Sequence, residues 1–158
     1  RVATVEQLVN ELEQIVRRMR PGVRFGRMLA GNALLSPKAR AAVAQDYPAI
    51  LAAGDYAWVP VAPETHNPKD PDAWFGDLLN TIRDTPGGTG DTVLGIHLIE
   101  RQQSRWRSSS SWRHLVEASG RADLHHLAYT PESGVADQQP DLRDVQAARK
   151  AAAATGQP

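Results

Sequence analysis

Residues 92–100 form a nearly unbroken apolar run, with Val93, Leu94, Ile96, Leu98 and Ile99 among nine positions. A strand of this kind has no polar face to offer water. Both faces must be covered, which is the habit of parallel sheets. Upstream, Tyr56-Ala57-Trp58-Val59-Pro60-Val61 reads as a second strand, being rich in β-branched and aromatic residues. Between the two, Asp72 is placed to cap a helix in which Trp74, Phe75, Leu78, Leu79 and Ile82 share one face. Strand, helix and strand in that order predict a right-handed parallel crossover. Pro60 has no N–H to give to a ladder, which predicts an edge strand or a strand end at that point.

The remaining elements are placed around this unit. Val5, Leu8, Val9, Leu12, Ile15, Val16 and Met19 recur at helical spacing and make one apolar stripe. Thr4 with Gln7 fits a capping box, and Pro21-Gly22 stops the helix. Val23 and Phe25, with Arg24 and Arg27, allow a short strand, which Gly26, Gly31 and Asn32 weaken. Ser36 and Pro37 open an alanine-rich helix that ends before Pro48. Ser111 caps a helix through Leu115 and Val116 that closes at Gly120, and residues 124–129 suit either a third strand or a short helix. The expected architecture is an α+β or α/β domain over residues 1–130. Its sheet is small, two- or three-stranded and partly parallel, and is packed with helices. A linker at 131–140 leads to a peripheral, alanine-rich C-terminal helix or tail at 141–158.

A chain of 158 residues suits one domain with a core of its own. It holds no cysteine, which excludes a disulfide scaffold, a thiolate metal site and a cysteine nucleophile. No apolar run approaches the roughly 20 residues that cross a bilayer. A cytoplasmic protein with no membrane partner is therefore expected. Net charge is zero but unevenly spread, with balances of +5 over residues 1–45, −7 over 46–100, +4 over 101–121 and −2 over 122–158. Blocks of this kind either neutralise each other within one fold or mark contact with a polyanion. Arginine outnumbers lysine fifteen to three, so most basic positions present a planar fork suited to phosphate or carboxylate.

Several chemical readings fail on spacing. The glycines at 87, 88 and 90 lead from a helix into a strand, the reverse of a phosphate loop, and no Lys-Ser/Thr follows them. His125 and His126 are adjacent, so their side chains diverge. His66 lies in a proline-rich loop, His114 in a basic segment, and His97 in the apolar strand on the side of Val93. A histidine in that last setting is more often a hydrogen-bonded core residue than a catalyst. No zinc signature occurs, so neither metal nor cofactor is expected. Asp91 with Glu100-Arg101-Gln102 resembles the acid and Glu-x-Lys pair of restriction-type nucleases only loosely, since glutamine stands where lysine belongs.

The densest cluster is the segment from Arg101 to His114. Arg101, Arg105, Arg107 and Arg113 alternate there with Trp106, Trp112 and a run of serines. Guanidinium groups neutralise phosphates and indoles stack on bases. The leading expectation is a non-catalytic subunit of a larger assembly that contacts nucleic acid through this segment, joined by Arg17, Arg18, Arg20, Arg24 and Arg27. Its partners would be other protein subunits, with DNA or RNA as the polyanion. A structural or adaptor protein that binds only protein is the alternative, and a metal-dependent nuclease the third. An amphipathic helix closing in Pro21-Gly22-Val23-Arg24 resembles the opening of phage tail-terminator and neck proteins. That resemblance covers the first helix and turn only, and implies the adaptor role.

Overall fold

A computed structural model describes residues 2–63, 68–97, 99–100, 105–106, 109–130, 147 and 150. Helix α1 (Val2–Met19) leads to strand β1 (Gly26–Met28), then α2 (Gly31–Leu35), α3 (Pro37–Val43), α4 (Tyr47–Ala53) and β2 (Tyr56–Val61). Next come α5 (Pro71–Asp84), α6 (Gly88–Asp91) and β3 (Thr92–His97). The short strands β4 (Ile99–Glu100) and β5 (Arg105–Trp106), helix α7 (Ser109–Arg121) and strand β6 (Leu127–Thr130) complete the described elements. The main sheet runs β1-β2-β3-β6, and every neighbouring pair is parallel. The protein is thus mixed α/β, but the sheet has four strands where two or three were expected.

Alternation along each strand sorts the side chains into two faces. Ala57, Val59, Val61, Leu94 and Ile96 are buried on one face. They form a single cluster with Leu34 of α2, Tyr47 and Ile50 of α4, Trp74, Phe75, Leu78, Leu79 and Ile82 of α5, and Trp112, Leu115 and Val116 of α7. The helices therefore lie on one side of the sheet. Parallel strands taken in chain order, with helices on one side, are the local pattern of a β/α barrel wall. Tyr47 and Thr92 are both almost fully buried, and their hydroxyls meet at 2.6 Å.

Capping decides where the helices begin. Asp70, two residues before the expected cap, accepts from the N–H groups of Asp72 and Ala73 at 3.0 Å, with Pro71 in the first turn. Ser36 caps α3 as expected, accepting from Ala39 N–H. Helix α7 starts at Ser109 rather than after Ser111, and α1 already includes Thr4.

Pro60 lies in an interior strand, not at the sheet edge. The N–H of Leu29 donates to the Trp58 carbonyl, so Trp58 and, two residues on, Pro60 turn their backbone polar groups toward β1. At that level β1 has already ended. On the other side of the chain the Ala30 N–H is taken by the Gln45 side chain at 2.9 Å. The missing donor of Pro60 thus falls where the neighbouring ladder has stopped.

Of the expected tail, only Ala147 and Lys150 fall within the described residues, and both are helical. The expected linker lies outside them.

Candidate functional site

The second face of the sheet carries no helix of the core cluster. In register across it lie Gly26 and Met28, then Tyr56, Trp58 and Pro60, then Val93, Gly95 and His97, and finally Ala128. Two aromatic rings sit close against neighbouring glycines. A Cβ on Gly95 would fall 2.3 Å from Trp58 Nε1, and one on Gly26 would fall 2.1 Å from the Tyr56 ring. Glycine is required at both positions because the indole and the phenol occupy the space a side chain would need. The Trp58 Nε1 atom is buried with no hydrogen-bond partner among the described residues.

Two hollows open on this face. One, of about 560 Å³, sits toward the start of the strands, between Arg24, Tyr56, Trp58, Val93 and Ala128. The other, of about 450 Å³, sits at their C-terminal ends, where Met28, Ala30, Gly31, Gln45, Trp58, Pro60, Ala62 and His97 line it. Strand C-termini are where parallel α/β folds place their ligands. The wall of this second hollow is held firmly. Gln45 bonds both the Ala30 N–H and the Met28 carbonyl. Trp74 Nε1 donates to Asn32 Oδ1 at 2.8 Å, fixing the loop after β1. His97, expected to be a core histidine, is half-buried at the end of β3 and lines the hollow. Its position on the Val93 side of the strand is the one expected; its exposure follows from the uncovered face. None of the described residues lining the hollow is a carboxylate. Among the described residues no group of three or more His, Asp or Glu side chains could hold a metal ion.

The arginines expected to bind phosphate are dispersed. Arg27 is buried under α1, paired with Glu6 and 3.6 Å from Glu13, and it donates to Asn10. Arg17 bonds Glu13 at 2.7 Å and Asp55 at 2.6 Å. Arg24 lies 5.5 Å from the centre of the Tyr56 ring and donates to the Asp55 carbonyl. Arg18 and Arg20 are exposed near the end of α1. Trp112 is a core residue with 3% of its surface exposed, so its ring is not presented for stacking. Arg113 is exposed on α7. Arg105 and Trp106 form β5, whose backbone pairs with Ile99 and Glu100. Arg101 and Arg107 lie outside the described residues.

Where these arginines meet acids, the effect on the acids is plain. The Phe25 N–H, at 2.6 Å, and the Arg17 guanidinium hold the Asp55 carboxyl below the usual carboxylate range. Glu13 and Asp55 in turn raise Arg17. Asp91 and Glu100, the loose nuclease pair, fall on separate elements, Asp91 at the end of α6 before β3 and Glu100 in β4 after it.

Comparison with known proteins supplies a family and a structural relative. Residues 1–130 match the family model described as hypothetical glycosyl hydrolase family 13. In structure the chain is similar to the PgaB (BpsB) glycoside hydrolase domain from Bordetella bronchiseptica, with a TM-score of 0.78 at 16% identity. The match covers 94% of this chain and 41% of that one, so the chain spans less than half the length of its structural relative. No curated protein matches the sequence. The family match overturns the expected non-catalytic assembly subunit, together with its nucleic-acid, adaptor and nuclease variants. Within the residues on which that expectation stood, Trp112 is spent on core packing and Arg17 and Arg27 on ion pairs, while Arg18, Arg20 and Arg113 are exposed on separate helices. This chain belongs to the hypothetical glycosyl hydrolase family 13.

Proposed function

We propose that this chain forms one wall of the glycan-binding cleft of a glycoside hydrolase, with Trp58 and His97 facing the sugar. The observation that carries this reading is the hollow at the C-terminal ends of β1, β2 and β3. It is apolar, backed by an indole packed against Gly95, and is lined by an imidazole. A pyranose ring presents an apolar C–H face to such a plane and its hydroxyls to the polar rim. Glycosidic cleavage ordinarily takes two carboxyl groups, one to protonate the leaving oxygen and one to act as base or nucleophile. Those groups must come from outside the described lining. Glu64 and Glu100 follow β2 and β3 in sequence and are the first carboxylates of this chain to test. The remainder come from the other part of a barrel, the protein partner that this reading implies. A cytoplasmic location is not needed by it, and among the described residues no helix is long and apolar enough to cross a membrane.

The test is titration of the protein with a panel of α- and β-linked oligosaccharides, read by tryptophan fluorescence. One glycan class should quench the emission, and Trp58→Phe should abolish that response while the circular dichroism is unchanged. Absence of a response to every glycan, or a response that survives in Trp58→Phe, would retire the reading.

A further inference from the structure

Gln45 stands at the junction of two short helices. Ala44, in the left-handed region at φ 55°, turns the chain out of α3. The Gln45 N–H is tied back to the Arg40 carbonyl at 3.2 Å, and Asp46 caps α4 immediately afterwards. The backbone of Gln45 is thus fixed from both sides, and its side chain leaves from a set point.

That side chain reaches β1. The Leu29 N–H turns toward β2, where it meets the Trp58 carbonyl at 2.9 Å. The backbone polar groups one residue to either side, on Met28 and Ala30, turn the other way. Gln45 takes one from each: its Nε2 donates to the Met28 carbonyl at 3.0 Å, and its Oε1 accepts from the Ala30 N–H at 2.9 Å. Only one orientation of the amide serves both, since an N–H cannot accept and a carbonyl cannot donate. These are the two bonds that a residue of a parallel neighbouring strand would make around Leu29. Leu29 itself is fully buried. Beyond it Ala30 and Gly31 line the hollow, and the segment ends at Asn32, held by the Trp74 indole.

We infer that Gln45 is a positioning residue of the hollow: its amide stands in for a strand at the end of β1 and sets the wall formed by Met28, Leu29, Ala30 and Gly31. Its consequence for ligand affinity rests on the proposed reading of the hollow as a glycan cleft. Without the amide, Met28 and Ala30 would exchange a fixed partner for water, and the wall would have no hold between Leu29 and Asn32.

The test uses two variants and NMR. Gln45→Met keeps the length of the side chain and makes neither bond. Amide exchange at Ala30 should quicken about tenfold, roughly the worth of one net hydrogen bond. The Leu29 amide, which is bonded to Trp58, should change by less than about twofold. Gln45→Glu separates bonding from shape. An ionised carboxylate faces the Met28 carbonyl without a proton to give, whereas a protonated carboxyl donates and accepts as the amide does. The Met28 carbonyl-carbon resonance should therefore depart from the wild-type position near about pH 7 and return toward it near about pH 4, where a glutamate carboxyl protonates. The wild type at the same two pH values removes the titration of Asp46, 4.0 Å from Arg40, and of His97, which lines the hollow. Unchanged exchange at Ala30 in Gln45→Met, or a Met28 resonance in Gln45→Glu that does not respond to acid, overturns the inference. With the oligosaccharide that quenches the wild type, Gln45→Met should bind about tenfold more weakly while its circular dichroism is unchanged. Equal affinity would detach Gln45 from the cleft and overturn the inference as well. If no oligosaccharide quenches the wild type, the glycan reading falls by itself, and the Ala30 and Met28 signals, which need no ligand, still decide whether Gln45 sets the wall.

Discussion

Helices α5 and α1 lie on the same side of the same sheet and meet it by opposite means. α5 presents Trp74, Phe75, Leu78, Leu79 and Ile82, all buried. α1 presents Glu6, Asn10, Glu13 and Arg17, and turns its leucines to the outside. The difference teaches what amphipathic periodicity contains. It identifies a stripe and its angular width, but not which body covers that stripe. For α5 the cover is the sheet of this chain. For α1 the sheet meets the polar side, because Arg27 stands on the core face of β1 and needs acids above it.

The largest effect that can break the comparison is on the α5 side. Leu78 is fully buried, and Leu78→Ala should cost about 2–5 kcal/mol, through lost transfer energy and a residual cavity. Urea unfolding measures it. A loss below about 1 kcal/mol would mean that α5 is not the keel of the core. On the α1 side, Arg27→Met removes a guanidinium whose side chain is 6% exposed, leaving Glu6 without its cation and Glu13 with Arg17 alone. Breaking a buried pair costs about 3–5 kcal/mol when the remaining charge is fully enclosed. Glu6 keeps some access to water, so about 2–3 kcal/mol is expected here. If Arg27→Met proved neutral, α1 would be held by something other than its ions.

A smaller effect follows from acid. Asp55 sits below the usual carboxylate range because Phe25 N–H and Arg17 favour its charged form. A carboxyl whose folded value is lowered contributes stability at neutral pH that disappears as pH falls through that folded value. The anchor of α1 should therefore weaken below the ordinary carboxylate range, while the apolar contacts of α5 do not respond. Comparing the pH dependence of unfolding for the wild type and Asp55→Asn checks this. The variant should lose the part of the acid slope that Asp55 supplies, and parallel curves would remove Asp55 from the account.

How much was legible follows from the same contrast. The strand at 92–97, shorter than the apolar run to residue 100, the strand at 56–61 and the helix between them follow from apolar run, propensity and period, because the strand face turned to the helix is covered by this chain's own residues; the second face, expected to be covered as well, carries no helix of the core cluster. Strand β1 is only three residues long and contains Gly26, whose reason is the Tyr56 ring from the neighbouring strand; a local reading meets the glycine as a breaker. β6 was left between strand and helix because four residues carry no decisive period. The candidate cleft was illegible for a related cause. Its signals, Trp58 over Gly95 and His97 at a strand end, are pairings across strands, whereas composition drew attention to arginines and tryptophans adjacent in sequence. Charge pattern gave a sounder guide: one of the two readings kept open was neutralisation within the fold, and Arg17 with Asp55 joins the basic first block to the acidic second.

The smallest expected effect is the sharpest on the comparison. Leu12 is half exposed on the outward side of α1 and stands outside the core cluster, so Leu12→Gln removes no core contact among the described residues. Glutamine and leucine have similar helix propensities, and a surface change of this kind stays within about 0.5 kcal/mol. Unfolding of the 158-residue chain should therefore be almost unmoved, and its tendency to self-associate should fall as the apolar seam is interrupted. An equivalent polar substitution on α5, Leu79→Gln, should be severe, since it places an amide in a position that is 6% exposed without a partner. If Leu12→Gln were as damaging as Leu79→Gln, the outward stripe would be packed against this chain itself. The two helices would then differ in sequence but not in how they are held.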